Sequence, residues 1–364
     1  MPVDLDALLN LYFIDGIGTN RLRTLINKFK NVDAIHKASE QELSSINGID
    51  VILAKRIKSV SNLKQVRAQK TLAQNFGARI ITLWDSEYPE MLKNIYDPPA
   101  ILFVKGSLKK ADKSAIAIVG TRTPTNYGKY FADKFSRELS LCGFTIASGM
   151  ARGIDTLAHW AAIKSSGRTI AVLGSGIDVI YPSENKNLYH QITENGAIIS
   201  EFLMGTKPDA SNFPRRNRIV SGLSLGLLVV EAGLKSGALI TANLALEQNR
   251  EIFAVPGNIN SAKSHGCNQL IADGAKLVSA TEEIVNELQP QLNILVSRER
   301  VERKIVSLNP TEKIMLENLN TEAIHIDKIA KQNKITISQA LGVLLSLELK
   351  ELVRQLPGKY FVRI

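Results

Sequence analysis

Cysteine is scarce in this chain: 364 residues hold two, Cys142 and Cys267. No Cys-x-x-Cys and no Cys/His cluster goes with them, which argues against a disulfide scaffold and a structural zinc and for a reducing compartment. No uninterrupted apolar run approaches the roughly 20 residues that a membrane-spanning helix needs. The stretch from Met1 to Asn10 has neither a basic region nor a cleavable apolar segment. The expectation is a soluble, cytoplasmic protein with no membrane partner. Two nucleotide signatures are missing as well. The turn after the first strand of the main domain reads Gly120-Thr-Arg-Thr-Pro124, not the G-x-G-x-x-G of a dinucleotide site. No GxxxxGK[ST] occurs, so ATP hydrolysis through that loop is excluded.

What the chain does have is positive charge. The net charge is +10 and the pI about 9.4, which favours a polyanionic partner. The charge is spread out: Lys+Arg against Asp+Glu count 8 and 7 in residues 1–62, 25 and 20 in 63–287, and 12 and 8 in 288–364. The length fits two or three domains.

Residues 1–62 read as short helices joined by glycine turns, a helix-hairpin-helix pattern. Asp15-Gly-Ile-Gly18 and Asn47-Gly-Ile49 each precede a segment of helical period. Such turns bind phosphate or simply pack, and Asp50, following the second, would repel phosphate. Residues 63–289 form the main domain, with 63–114 as an N-terminal extension in which Leu63–Gln74 reads as a helix, Ala78–Trp84 as a strand and Tyr88 to Val104 as an irregular lead-in. From Ala115 onward, short apolar runs such as Ile116–Val119, Thr169–Leu173 and Leu225–Val230 alternate with helical segments. That alternation predicts an α/β fold, a Rossmann-like, doubly wound, mainly parallel sheet. Residues 290–304 read as a linker. Residues 305–364 read as three helices and a hairpin across Pro357-Gly358, a winged-helix module, with Thr311 and Ser338 as candidate caps.

In open parallel sheets a ligand lies outside the carboxyl ends of the strands. Those ends carry Gly120, Thr121 and Arg122; Ser148, Gly149 and Ala151 with Arg152; Gly174 to Pro182; and Lys235 with Ser236. Loops of this kind suit phosphate. The stretch Phe213-Pro-Arg-Arg-Asn-Arg218 adds Arg215, Arg216, Asn217 and Arg218 beside one aromatic. Arginine forks bind phosphate and a ring offers a base a stacking face. No catalytic set stands out. His159 reads as a packing or capping residue, and Asp155 as a helix cap or a catalytic acid. Glu201 and Glu231 lack a second carboxylate for a shared cation. Cys267 and His265 stand too close in sequence to point at each other. The rim is built to hold a ligand, with no cofactor and no metal expected.

Read in order, these loops resemble the DNA-processing protein A (DprA/Smf) family. The resemblance rests on Val119-Gly-Thr-Arg122, Ser148-Gly-Met-Ala-Arg-Gly-Ile-Asp155, Gly174-Ser-Gly-Ile-Asp-Val-Ile-Tyr-Pro182, Phe213 to Ser224, Val230 to Ala242 and Phe253-Ala-Val-Pro-Gly257. It implies single-stranded DNA binding, a homodimer through the Rossmann-like domain, and loading of the RecA recombinase in natural transformation, without bond chemistry. It also implies that Arg122 clamps phosphate, that Phe213 stacks on a base, and that Ser148, Gly149, Ala151, Asn217 and Arg218 line the site. One departure is Ser183, where some members have lysine; Lys186, a turn later, is the candidate substitute. The rival reading is a phosphoribohydrolase-like nucleotide enzyme. Its glycine-rich loop carries a glutamate that Lys235 to Leu244 lacks.

Overall fold

The computed structural model describes residues 4–291, 308–320, 323–333, 335–350 and 352–363. They fall in two compact units divided between Leu295 and Val296. Apart from 290 and 291, the expected linker 290–304 lies outside the described residues.

The first unit begins with five short helices, α1 (Leu5–Tyr12), α2 (Thr19–Phe29), α3 (Val32–Lys37), α4 (Glu40–Ser44) and α5 (Val51–Ser59). Asp4, Asn31, Ser39 and Asp50 start four of them by accepting backbone N–H bonds that the helix leaves open. Asp50 is therefore the cap of α5, its carboxylate 2.7 Å from Leu53 N. Arg21 ties the two glycine turns together, donating from Nη1 to Gly16 O and from Nε to Gly48 O, each at 2.6 Å. The apolar faces of these helices do not form a core of their own. Leu8, Leu9, Leu22 and Leu25 share one continuous core with Leu173, Ile177, Tyr189 and Ile192 of the α/β domain.

After α6 (Leu63–Phe76) comes a sheet of nine strands: β1 (Arg79–Thr82), β2 (Ile101–Gly106), β3 (Ala115–Val119), β4 (Thr145–Ser148), β5 (Thr169–Val172), β6 (Gly196–Ser200), β7 (Gly226–Val229), β8 (Glu251–Ala254) and β9 (Lys276–Leu277). Their order is β1-β2-β6-β5-β4-β3-β7-β8-β9. The seven strands from β3 to β9 pair in parallel, and β1 and β2 add an antiparallel edge. The helix and strand expected at Leu63–Gln74 and Ala78–Trp84 are α6 and β1, while Ile101–Gly106, in the stretch expected to be irregular, is β2; both strands extend the main sheet. Both sheet faces are covered, so alternate residues of a strand enter different cores. Ile101 and Phe103 pack with the N-terminal helices, Leu102 and Val104 on the opposite face. The remaining helices of this unit are α7 (Glu90–Lys93), α8 (Asn126–Leu141), α9 (Ile154–Lys164), α10 (Lys186–Asn195), α11 (Asn212–Gly222), α12 (Gly237–Glu247), α13 (His265–Ala272) and α14 (Thr281–Leu288). This is the doubly wound, Rossmann-like arrangement expected from the alternating pattern.

The second unit holds α15 (Pro310–Glu317), β10 (Ile324–His325), α16 (Ile326–Gln332), α17 (Ile337–Leu349) and the hairpin β11 (Val353–Leu356) and β12 (Tyr360–Arg363). Its core includes Met315, Leu319, Ile329, Leu344 and Phe361. Asn309 and Thr336 cap α15 and α17, where Thr311 and Ser338 were expected. Each belongs to a reciprocal box with Glu312 or Gln339 three residues on, which satisfies two open N–H groups instead of one. Among the described residues no helix is long and apolar enough to cross a membrane.

Candidate nucleic-acid interface

Strand β3 has β4 on one side and β7 on the other. The chain winds outward from β3 through β4, β5 and β6, then returns to lay β7 against β3. A crevice opens at such a reversal, outside the carboxyl ends of the strands. Here it is a cleft of about 850 Å³, walled by the loops after β3, β4 and β7 and by the first turns of α11.

Helix α11 decides which of the clustered basic residues reach it. At 3.6 residues per turn, Phe213, Arg216, Asn217 and Val220 share one face, and all four line the cleft. Arg215 and Arg218 fall on the other side and do not line it. The side chain of Arg218 is only 15% exposed. It is paired with Glu201 through Nη2, and its Nε lies 3.4 Å from Asp97 Oδ2. Burial pushes the Glu201 carboxyl above its ordinary value, with Arg218 opposing. Arg215 is exposed, its guanidinium 5.5 Å from the centre of the Phe202 ring. Arg216 does face the cleft but is 4% exposed. Its Nη1 donates to Gly149 O at 2.6 Å and to Val172 O, and its Nε to Asn217 Oδ1 at 3.2 Å. Burial lowers its pKa to about 10. The three arginines expected to act together therefore divide: one is locked inside the fold, one is paired behind the helix, and one is exposed away from the cleft.

The loop after β4 departs from expectation in the same way. The Ser148 hydroxyl is buried and donates to Ile118 O at 2.6 Å. The N–H groups of Gly149 and Ala151, expected to cradle a phosphate, are taken by the Asp155 carboxylate at 3.1 and 3.4 Å. Asp155 is thus a brace that folds the loop back, and burial pushes its carboxyl up. Gly153 lets this loop meet the one after β3. Its φ is +79°, and a Cβ there would stand 2.3 Å from Thr121 O.

Other groups remain open to the cleft. Arg122 is exposed and has no carboxylate within ion-pair distance among the described residues. Its guanidinium stands 5.5 Å from the centre of the Phe213 ring. That half-buried ring lies against Gly174, where a Cβ would be 2.8 Å away. Tyr181 adds a second ring, its centre 5.7 Å from that of Phe213 at 37°. Gly120 and Thr121 form the near wall, and exposed Lys235 with Ser236, the cap of α12, the far one. Tyr181 and Lys263 line the cleft without having been singled out as site residues; Lys263 donates to Thr123 O. The Tyr-Pro that ends the β5 loop signalled the first. Lys263 lies beyond the Gly257 turn, with no pattern around it. Lys186 is exposed on the first turn of α10 and does not line the cleft.

Apart from Asp155, the candidates for chemistry do not line the cleft. His159 is fully buried, with Nδ1 2.6 Å from Thr169 Oγ1, and burial lowers its pKa to about 3. The Cys267 thiol is buried and pushed up to about 12, while His265 Nε2 lies 2.9 Å from Ile259 O. Glu231 holds Thr125, accepting from its N–H at 2.8 Å and its hydroxyl at 2.5 Å.

The family model for DNA recombination-mediator protein A matches residues 79–289, more than half the chain. The chain belongs to the DprA/Smf family. A SAM-like helix-hairpin-helix tandem matches 7–60 and the DprA winged-helix domain matches 301–359. Among DprA/Smf relatives, the protein Smf of Synechocystis sp. is 34% identical over 96% of both chains. The X-ray structure of DprA from Streptococcus pneumoniae superposes with a TM-score of 0.69 at 33% identity, covering 79% of this chain and 99% of that one. DprA from Helicobacter pylori, whose structure is described as giving insight into its single-stranded DNA binding mode, matches with a TM-score of 0.53 at 33% identity. It covers 58% of this chain and 97% of that one.

Proposed function

We propose that the cleft binds single-stranded DNA, with Arg122 and Lys235 on backbone phosphates and a base on the Phe213 ring. The observation that carries this reading is the placement of Arg122 over Phe213, 5.5 Å away, at the mouth of a cleft outside the parallel strands. Single-strand binders combine a cationic groove with aromatic platforms, and each stacked base is worth about 1–3 kcal/mol. Arg122 is free of acidic partners among the described residues, so its charge is offered to a ligand. Tyr181, packed at a tilt against Phe213, widens the aromatic surface beside it.

The reading includes no bond cleavage. Asp155 is the single carboxylic acid in the cleft wall among the described residues, and its Oδ2 accepts from both Gly149 and Ala151 N–H as the brace of that loop. The hydroxyl beside it, on Ser148, is buried and donates to Ile118 O, so it is not presented to a ligand. By family likeness the protein would act in the cytoplasm as a homodimer through the Rossmann-like domain, handing DNA to RecA in natural transformation. A gel shift with single- and double-stranded DNA of equal length tests the reading. Preference for the single strand is expected, together with unchanged DNA and nucleotides after long incubation. Equal affinity for both forms, or release of bases from nucleotides, would refute it.

A further inference from the structure

We propose that Asn217 reads the edge of the base stacked on Phe213 and favours a carbonyl over an amino group there, thymine over cytosine. The inference rests on the cleft being a single-stranded DNA site. It begins with Arg216, which has only hydrogen-bond donors. Gly149 O and Val172 O fix this buried guanidinium, and its Nε points at the Asn217 side chain, 3.2 Å from Oδ1. A donor-only neighbour dictates which way the Asn217 amide is turned: the oxygen faces Arg216, and the Nδ2 amino group is left toward the cleft that Asn217 lines.

Asn217 follows Phe213 by four residues on the cleft face of α11, so the two side chains stand one turn apart, with Cβ atoms about 6 Å from each other. A base lying on the ring turns an edge toward that amide. An unconstrained asparagine pairs with adenine through both its groups, accepting from N6 and donating to N7. Here Oδ1 is occupied, so the side chain can only donate. Thymine offers O4 as an acceptor at the position where cytosine carries the N4 amino donor. The one carboxylate in the cleft wall among the described residues, Asp155, has its Oδ2 turned to Gly149 and Ala151 N–H as the brace of its own loop. At Asn217, therefore, an amino group finds no acceptor in exchange for the water it loses.

The test compares oligothymidylate with oligocytidylate of equal length, binding to the full chain with wild-type sequence, Asn217→Ala, Asn217→Asp and Phe213→Ala. Wild type should hold oligothymidylate about fivefold tighter, the equilibrium worth of one net hydrogen bond. Asn217→Ala should bring the ratio to one. Asn217→Asp keeps an oxygen for Arg216 and turns a second acceptor to the cleft, so it should reverse the ratio, even though added negative charge weakens both complexes. A wild-type ratio of one, or a preference that survives Asn217→Ala, overturns the proposal. Phe213→Ala separates the two levels. If it weakens both oligonucleotides while the ratio ignores Asn217, base reading fails and the cleft assignment stands. If it changes neither affinity, the cleft assignment itself fails. Thermal unfolding of each variant confirms that the compared proteins are folded.

Discussion

The two sides of helix α11 carry similar residues and do opposite things. On the cleft side, Phe213 and Asn217 keep polar or aromatic surface available, while Arg216 beneath them is sealed into the fold. On the far side, Arg218 neutralises a buried glutamate and Arg215 stands exposed over Phe202. A basic cluster in sequence is thus not a basic patch in space. A guanidinium held by buried carbonyls or a buried carboxylate contributes to stability. One that lines the cleft with no acidic partner contributes to ligand attraction. Arg122 is of the second kind, and the cleft's affinity for a polyanion depends on it more than on the cluster.

The contrast breaks most visibly at Arg216. Arg216→Ala would remove the donor from Gly149 O and Val172 O and the favourable charge beside Asp155. A loss of about 3–5 kcal/mol in unfolding free energy is expected, read by denaturant titration. Arg218→Ala should cost less, roughly 2 kcal/mol, since Asp97 is half exposed and Glu201 alone is left buried. Both losses are read in the free protein, without DNA. Arg122→Ala is the mirror image: melting unchanged within about 0.5 kcal/mol, and affinity for single-stranded DNA reduced roughly tenfold.

The same rule extends to the second unit, where Glu312 is 2% exposed and held by Lys350 and Ser346. Its pKa falls to about 2, set first by the Lys350 contact, against about 4.3 in an unfolded chain. A depressed carboxylate stabilises above the unfolded value and ceases to as pH drops through the folded one. Protection of the α17 amides, taken relative to intrinsic exchange at each pH, should therefore fall between about pH 4 and pH 2, and Glu312→Gln should flatten that dependence.

How much of this was legible beforehand follows from the range of each interaction. Buried parallel strands are continuous apolar runs, so β3 to β8 could be read directly, whereas β9 spans two residues and leaves no period. The boxes Asn309-x-x-Glu312 and Thr336-x-x-Gln339 were readable, but Thr311 and Ser338 offered the same chemistry two residues away. Arg122, Phe213 and Asn217 could be located because loops after parallel strands converge on one edge. That Arg216 is buried could not, since its partners Gly149 and Val172 lie 67 and 44 residues away in the chain. Nor could the filling of the Gly149–Ala151 nest by Asp155, because a short loop reads the same whether its N–H groups face inward or out.

The most direct measurement is the salt dependence of single-stranded DNA binding by wild type, Arg122→Ala and Arg215→Ala. Each phosphate neutralised adds about −0.7 to the slope of log affinity against log salt. Loss of Arg122 should flatten that slope by about one phosphate, and loss of Arg215, on the far side of α11, should leave it in place. A slope unmoved by Arg122→Ala and flattened by Arg215→Ala would put the strand on the wrong face of the helix and contradict the account.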